Sequence, residues 1–191
     1  LVTGSFGRKE KKRIASVTGA KNHPPLFLKT CAHLSVMEIR ALARLAKSEF
    51  GGLALIVIDY LQLMNGHRDF DGIEQRPDIC ADLKALANEL GVPVIAVSQL
   101  NNAVDLRPDK RPIVADLQDF GTLEQDADMI IFIYRDEVYN PDTEGKGMAE
   151  IIMAKHPNRP HGTSRLEFHP EYALFREIEG ANKWPQLERL L

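Results

Sequence analysis

Polar residues follow three apolar segments of this chain, where buried strands would end. They are Asp59, Gln99 and the run Arg135–Glu137. The segment before Asp59, Leu53–Ile58, is apolar enough to be a strand buried on both faces of a parallel sheet. A carboxylate at the carboxyl end of such a strand is well positioned to bind a ligand, such as the magnesium of a nucleotide. The alternative is that Asp59 only caps the following turn.

The residue type at position 99 also fits a nucleotide site. A carboxamide donates and accepts hydrogen bonds at once, so Gln99 could hold an attacking water or contact a γ-phosphate. It could then report the state of the nucleotide to the adjoining loop. The alternative for each of the three positions is a surface polar residue that ends a strand. If the three strands are neighbours, their carboxyl ends meet at one edge and predict one site.

The segments between these strands predict the elements that position them. Ser35 and Glu38 have the spacing of a capping box before an amphipathic helix, and residues 79–90 predict a second one. Strands alternating with helices predict βαβ units on a parallel sheet. After Tyr134, short strands without helices between them predict an antiparallel extension. The predicted fold class is therefore α/β, a three-layer domain with a mainly parallel sheet and antiparallel C-terminal hairpins.

Composition is that of an ordinary globular domain, with 191 residues of which 44% are hydrophobic and 27% charged. The formal charge of −3 argues against a surface that coats nucleic acid, so any DNA contact would be local. No segment approaches the roughly 20 apolar residues of a membrane span, so no membrane partner is expected. Two isolated cysteines, Cys31 and Cys80, fit a reduced cytoplasmic setting. The missing initiator Met suggests a fragment.

Several blocks of the sequence resemble the DnaB family of bacterial replicative DNA helicases. They occur in the family's order between roughly residues 30 and 176, and include Leu55–Met64, Val92–Asn101, Asp109–Pro112, Glu124–Asp128 and Phe132–Tyr139. The resemblance implies a RecA-like ATPase domain that uses ATP and Mg²⁺. It also implies a homo-hexameric ring on single-stranded DNA, with a helicase loader and a primase as candidate partners. Residues 1–178 would be a partial RecA-like helicase ATPase domain, and residues 179–191 a C-terminal tail.

The resemblance also implies roles for individual residues. Asp59 corresponds to the Walker-B acid that acts through magnesium, and Gln99 to the sensor at the strand end. Lys155 lies on the hairpin that reaches the neighbouring subunit's nucleotide in the family, where a cation would stabilise charge on the transferred phosphoryl group. Arg135 would lie near the nucleotide base. These four residues form the implied nucleotide site, and the first three are its implied catalytic residues.

A further block corresponds to the family's DNA-contacting loop in the ring channel. The loop is Asp116–Gly121, and Gln118, Asp119 and Gly121 are its implied DNA-binding residues. Backbone N–H groups and a few side chains there would follow the phosphates without reading the base sequence.

The sequence departs from the family's pattern at groups that would meet phosphate. The 191 residues contain no Gly-x-x-x-x-Gly-Lys-Ser/Thr, so the P-loop is absent and the chain alone is not expected to hydrolyse ATP. Pro157 replaces the arginine of the trans-acting hairpin, although Arg159 lies two positions on. Gln118 replaces an arginine of the DNA loop, and Asn102 stands where an arginine is common. A missing arginine finger alone can lower turnover by ~10³–10⁵.

Three functions follow from these observations. The leading hypothesis is the C-terminal part of a helicase that couples ATP hydrolysis to translocation on single-stranded DNA and duplex unwinding. The alternative is a non-catalytic, helicase-like assembly or DNA-binding module, which the three lost cations favour. A RecA-like recombination or regulatory ATPase would fit the fold, but fits the blocks at Asp59–Gln62 and Tyr134–Glu137 poorly.

Overall fold

The computed structural model describes residues 7–9, 12–13, 16, 26–31, 33–64, 79–120, 123–158 and 160–178, with the backbone alone at 118–120. The chain divides into two units, residues 1–31 and 32–191. In the first unit, residues 8–9, 12–13 and 16 are helical, and residues 26–31 form neither helix nor strand. The predicted tail at 179–191 lies outside the described residues, and the predicted domain boundary stays a prediction.

Two helices and the turn after the first strand build the main core of the second unit. Helix α1 is Val36–Glu49 and helix α2 is Ile79–Leu90. The predicted capping box is present: the Ser35 hydroxyl accepts the Glu38 N–H at 3.3 Å, and the Glu38 carboxylate accepts the Ser35 N–H at 2.8 Å. The buried residues of this core are Val36, Ala43, Leu61, Leu83, Leu86, Leu90 and Val92.

The strands form two sheets. Strands β1 (Ile56–Ile58) and β2 (Val94–Ala96) pair in parallel, as the alternation of strands and helices predicted. The second sheet is antiparallel, with the strands in chain order: β3 (Ile130–Tyr134), β4 (Met148–Lys155), β5 (Gly162–His169) and β6 (Leu174–Glu177). The antiparallel C-terminal hairpins are therefore confirmed, but among the described strands they form a sheet of their own with β3 and do not extend the parallel sheet. The short helix α3, Leu123–Asp126, precedes β3.

Burial of the first sheet differs from the prediction. Ile56 and Ile58 of β1 pack against the helical core, but Val57, which pairs with Ile95 on β2, is 58% exposed. A strand buried on both faces was expected. The helices cover one face of this sheet, and no part of the chain that the structure describes covers the other.

The segment between β2 and α3 is a long loop with two short 3-10 turns, Asn102–Leu106 and Val114–Phe120. The sequence from 101 to 121 is charged, contains two prolines and has no sustained hydrophobic period, which is typical of a long loop. Residue 121 lies outside the described part. Within the described ranges, no helix is long and apolar enough to span a membrane.

Candidate functional site

Asp59 and Gln99 lie at the same edge of the parallel sheet. Ile58, the last residue of β1, is in register with Ala96, the last residue of β2. The pairing continues beyond both strands, because the Val97 N–H donates to the Ile58 carbonyl and the Leu61 N–H donates to the Val97 carbonyl, each at 2.9 Å. The residues that follow these two strands are therefore held side by side.

Gln62 joins the two strand ends through its side chain. Its amide N–H group donates to the Gln99 carbonyl at 3.3 Å and to the Ser98 hydroxyl at 3.2 Å. Its amide oxygen accepts the Gln99 N–H at 3.2 Å. The carboxamide thus pairs with the Gln99 backbone as a neighbouring strand would, and fixes Gln99 relative to Asp59. Sequence analysis assigned Gln62 no role, because its partners lie 36 and 37 residues away in the chain.

The side chains of Asp59 and Gln99 remain open to a ligand. Both residues are exposed, and no group among the described residues hydrogen-bonds to either side chain. The described residues also contain no cluster of three or more histidine, cysteine and acidic side chains that could hold a metal ion. A lone carboxylate such as that of Asp59 could still contribute to a Mg²⁺ site, because that ion keeps several waters and takes its other oxygens from phosphates. Its role as a magnesium ligand stays a prediction.

The third predicted strand end does not join this edge. Among the described strands, β3 pairs only with β4 and has no hydrogen bonds to β1 or β2. The Arg135 Nε donates to a Glu137 carboxylate oxygen at 3.1 Å, and its guanidinium carbon lies 4.2 Å from the centre of the Phe168 ring. The role of Arg135 beside a nucleotide base stays a prediction.

Asp136, the middle residue of that strand end, has partners within its own turn. Its carboxylate accepts hydrogen bonds from Thr143, Tyr134 and Asn140. These hydrogen bonds lower the pKa of Asp136 to about 2, and the bond from Thr143 has the largest effect. The sequence predicts one site for the polar residues after all three apolar strands, but Asp136, after β3, stabilises a turn instead.

Lys155 is the last residue of β4. Its ammonium group donates to the carbonyl oxygens of Glu124 at 2.6 Å and Gln125 at 3.1 Å, both on helix α3. This helix directly follows the predicted DNA-contacting loop. The hairpin continues through Pro157, which is exposed, and Arg159 lies outside the described residues. A role for Lys155 at a neighbouring subunit stays a prediction.

The predicted DNA-contacting loop starts at an ion pair between a buried carboxylate and a partly exposed guanidinium. Arg107 donates to both carboxylate oxygens of Asp116, at 2.6 and 2.9 Å, and this contact lowers the pKa of Asp116. For Gln118 and Asp119 the structure describes the backbone alone, and Gly121 lies outside the described residues. Their contacts with DNA stay predictions.

A second ion pair ties the same long loop to the antiparallel sheet. Arg111 donates to the two carboxylate oxygens of Glu150 on β4, at 2.7 and 3.0 Å. Its guanidinium carbon lies 4.9 Å from the centre of the Tyr134 ring on β3. Hydrogen bonding to Arg111 lowers the pKa of Glu150. The sequence carries one signal for these contacts, the presence of Arg107 and Arg111 inside a long loop, but it does not identify their partners.

Comparison with protein families matches residues 1–177 to the DnaB-like helicase C terminal domain. The chain belongs to the DnaB-like helicase family. It is 47% identical over 171 residues to the replicative DNA helicase DnaB of Haemophilus influenzae, which covers 88% of this chain and 36% of that protein. It is 41% identical over 181 residues to the replicative DNA helicase DnaC of Bacillus subtilis, covering 94% and 40%. The chain thus spans well under half the length of these relatives.

Solved structures of similar proteins confirm the predicted RecA-like α/β fold. One of them, an ATPase domain, superposes with a TM-score of 0.83 at 36% identity, over 93% of this chain and 63% of that one. A DnaB-like replicative helicase, studied for its interactions with primase, gives a TM-score of 0.82 at 37% identity, over 92% and 44%.

Proposed function

We propose that this chain is the C-terminal part of a replicative DNA helicase, in which ATP hydrolysis drives a hexameric ring along single-stranded DNA and unwinds the duplex. One observation supports the motor function above the others. In a DnaB-like chain, the parallel pairing of β1 and β2 holds Asp59 beside Gln99, with both side chains open at the carboxyl edge of the sheet. Ligands of open α/β sheets bind at such an edge.

ATP with Mg²⁺ is the ligand that this edge would take. Asp59 would hold the ion, which, when bound, neutralises charge on the phosphate oxygens. The Gln99 carboxamide would contact the γ-phosphate or an attacking water, and Gln62 would keep its backbone in place. Arg135 would lie toward the base. Lys155 would serve the nucleotide of a neighbouring subunit, and would have to leave the carbonyl oxygens of α3 to do so.

The phosphate-binding backbone must come from another segment, because the 191 residues contain no P-loop sequence. The chain alone should therefore bind Mg²⁺–ATP weakly and should not hydrolyse it. Isothermal titration of Mg²⁺–ATP into the 191-residue chain checks this expectation. A dissociation constant in the low micromolar range would contradict our assignment of the phosphate site.

Single-stranded DNA would lie against the loop Asp116–Gly121. Gln118, Asp119 and Gly121 would contact it through backbone N–H groups, and Gln118 also through its side-chain amide, without reading the base sequence. In this function the chain would act in the cytoplasm as part of a homo-hexamer. A helicase loader and a primase would be its protein partners. The solved relative described with primase supports that last partner.

A chimera tests the motor function directly. Residues 1–191 replace the corresponding segment of the Haemophilus influenzae relative, which supplies the upstream part of the protein. We expect ATP hydrolysis that single-stranded DNA stimulates, and unwinding of a forked duplex. The same chimera with the P-loop lysine of the relative removed should do neither. A chimera that forms hexamers and binds DNA but does not hydrolyse ATP would contradict the motor.

That last outcome would instead support a non-catalytic assembly or DNA-binding module. Three positions favour this second candidate. Pro157, Gln118 and Asn102 each lack a cation at a place where the family carries an arginine. A chimera in which all three are changed to arginine would separate the two candidates, since it should gain hydrolysis only if the rest of the motor is intact.

A further inference from the structure

Asp116, the first residue of the predicted DNA-contacting loop, is turned into the protein. Its side chain is 2% exposed, and among the described residues no other charged side chain is so deeply buried. Besides the two hydrogen bonds from Arg107, its carboxylate accepts the Ile113 N–H at 2.9 Å. A buried carboxylate is stable only when it is paired and hydrogen-bonded in this way. Asp116 therefore does not contact DNA, and its charge would repel phosphate if it did.

The same ion pair closes the long loop on itself. Arg107 also donates to the Arg111 carbonyl at 2.8 Å, so its guanidinium bonds to both the middle and the end of the segment. A planar guanidinium with several N–H groups can bridge two acceptors at fixed geometry. The segment from Arg107 to Asp116 is thus held in one conformation.

The backbone at Asp116 is bonded to the chain that follows Gln99. The Asn101 N–H donates to the Asp116 carbonyl at 2.9 Å, and the Asn101 side chain donates to the Ala115 carbonyl at 3.4 Å. Asn101 lies two residues beyond Gln99, whose own backbone is fixed by Gln62. The start of the DNA loop and the nucleotide edge are therefore connected through one short stretch of hydrogen-bonded backbone.

We propose that Arg107 is a positioning residue for DNA binding: by holding Asp116 it keeps the start of the predicted DNA-contacting loop joined to the segment that follows Gln99. Arg107 itself contacts no phosphate. This inference rests on the proposed function, since it uses the DNA-binding role of the loop.

The test compares Arg107→Ala and Arg107→Lys in the 191-residue chain. Arg44→Ala, which removes the same charge from an exposed pair between α1 and α2, is the matched control. The probe is a fluorescein-labelled oligo-dT of about 20 nucleotides, followed by fluorescence anisotropy at several salt concentrations. Amide hydrogen exchange reports on residues 114–120 in the same proteins.

We expect Arg107→Ala to weaken DNA binding about 10-fold and to accelerate exchange at residues 114–120 but not in β4 and β5. Arg107→Lys should recover part of both effects, because an ammonium can still reach one carboxylate oxygen. The slope of affinity against salt should not change, whereas a lost phosphate contact would lower it by about 0.7 on single strands. A merely structural role would accelerate exchange in all strands.

Three results would overturn the inference. They are wild-type affinity in Arg107→Ala, a lowered salt slope, or unchanged exchange at residues 114–120. If neither the wild-type chain nor the hexameric chimera binds the oligonucleotide, the DNA-binding part of the proposed function fails. The exchange measurement then still decides whether Arg107 holds the loop.

Discussion

The two sheets differ in whether their polar side chains are paired within the protein. At the edge of β1 and β2, the side chains of Asp59 and Gln99 are exposed and have no hydrogen-bond partner in the part of the chain that the structure describes. In the sheet of β3–β6, Asp136 and Glu150 are saturated by hydrogen bonds and ion pairs. Acids of the second kind stabilise the fold, and acids of the first kind are available to a ligand. Pairing thus distinguishes the acids that could take part in chemistry from the acids that stabilise the fold.

The largest expected effect contrasts one acid from each sheet. In the chimera, Asp59→Asn should lower DNA-stimulated ATP hydrolysis by at least ~10² without changing the melting temperature, because this side chain has no partner among the described residues. Asp136→Asn should lower the melting temperature while hydrolysis stays within a few-fold of wild type. Steady-state hydrolysis and thermal melts measure both. Equal losses of activity in the two variants would break the distinction between the sheets.

In the proposed function, the hairpin of β4 and β5 is the part of the second sheet that contacts a neighbouring subunit's nucleotide. Pro157 lies on this hairpin in place of the family's arginine. Pro157→Arg restores a cation that could stabilise charge on a neighbour's phosphoryl group, so the chimera should hydrolyse ATP about 10-fold faster or more. Pro157→Gln, with a long but neutral side chain, is the control. If both variants accelerate hydrolysis equally, the proline acts through the shape of the hairpin and not through missing charge.

Gln62 offers a smaller and more specific perturbation of the first edge. Gln62→Leu removes the three hydrogen bonds to Ser98 and Gln99 while keeping a similar volume, so ATP hydrolysis by the chimera should fall about 10-fold. Gln62→Glu keeps an acceptor for the Gln99 N–H and should fall less. Hydrolysis rates at saturating ATP measure both. Two variants with wild-type rates would show that Gln99 needs no support from this side chain.

Lowering the pH should remove stabilising contacts from the second sheet more than from the first. The pKa of Asp136 is lowered to about 2, and the pKa of Glu150 is also lowered, so both carboxylates bind protons more readily in the unfolded chain. Their stabilisation is complete above the unfolded values near pH 4 and is lost as the pH falls toward 2. We expect the melting temperature to drop by a few degrees between pH 5 and pH 3.

Asp136→Asn is the control for this dependence on pH. Its melting temperature should be lower than that of the wild type at pH 6 and should fall less between pH 5 and pH 3, because one of the titrating carboxylates is gone. Melting curves of the two proteins that shift in parallel with pH would show that Asp136 does not carry the effect.

Local patterns were sufficient for the parts of the fold that local physics decides. The capping box at Ser35 follows from two residues close in sequence, and the order of strands and helices predicts both the parallel pairing of β1 with β2 and the antiparallel hairpins. Side-chain contacts between distant segments were not predictable in this way. The partner of Gln62 is Gln99, and the partner of Arg111 is Glu150, 39 residues later. No periodicity or motif fixes such pairs, since they depend on how the loop lies against the strands.

The smallest expected effect concerns the open face of the first sheet. Val57→Thr replaces a side chain that is 58% exposed, so the free energy of unfolding of the 191-residue chain should change by less than about 0.5 kcal/mol. Leu86→Ala, at a fully buried position in the helical core, should cost about 3 kcal/mol. Chemical denaturation of both variants measures the contrast. A cost above about 1.5 kcal/mol for Val57→Thr would mean that this face is covered in solution. The first sheet would then be buried on both faces, as the sequence predicts.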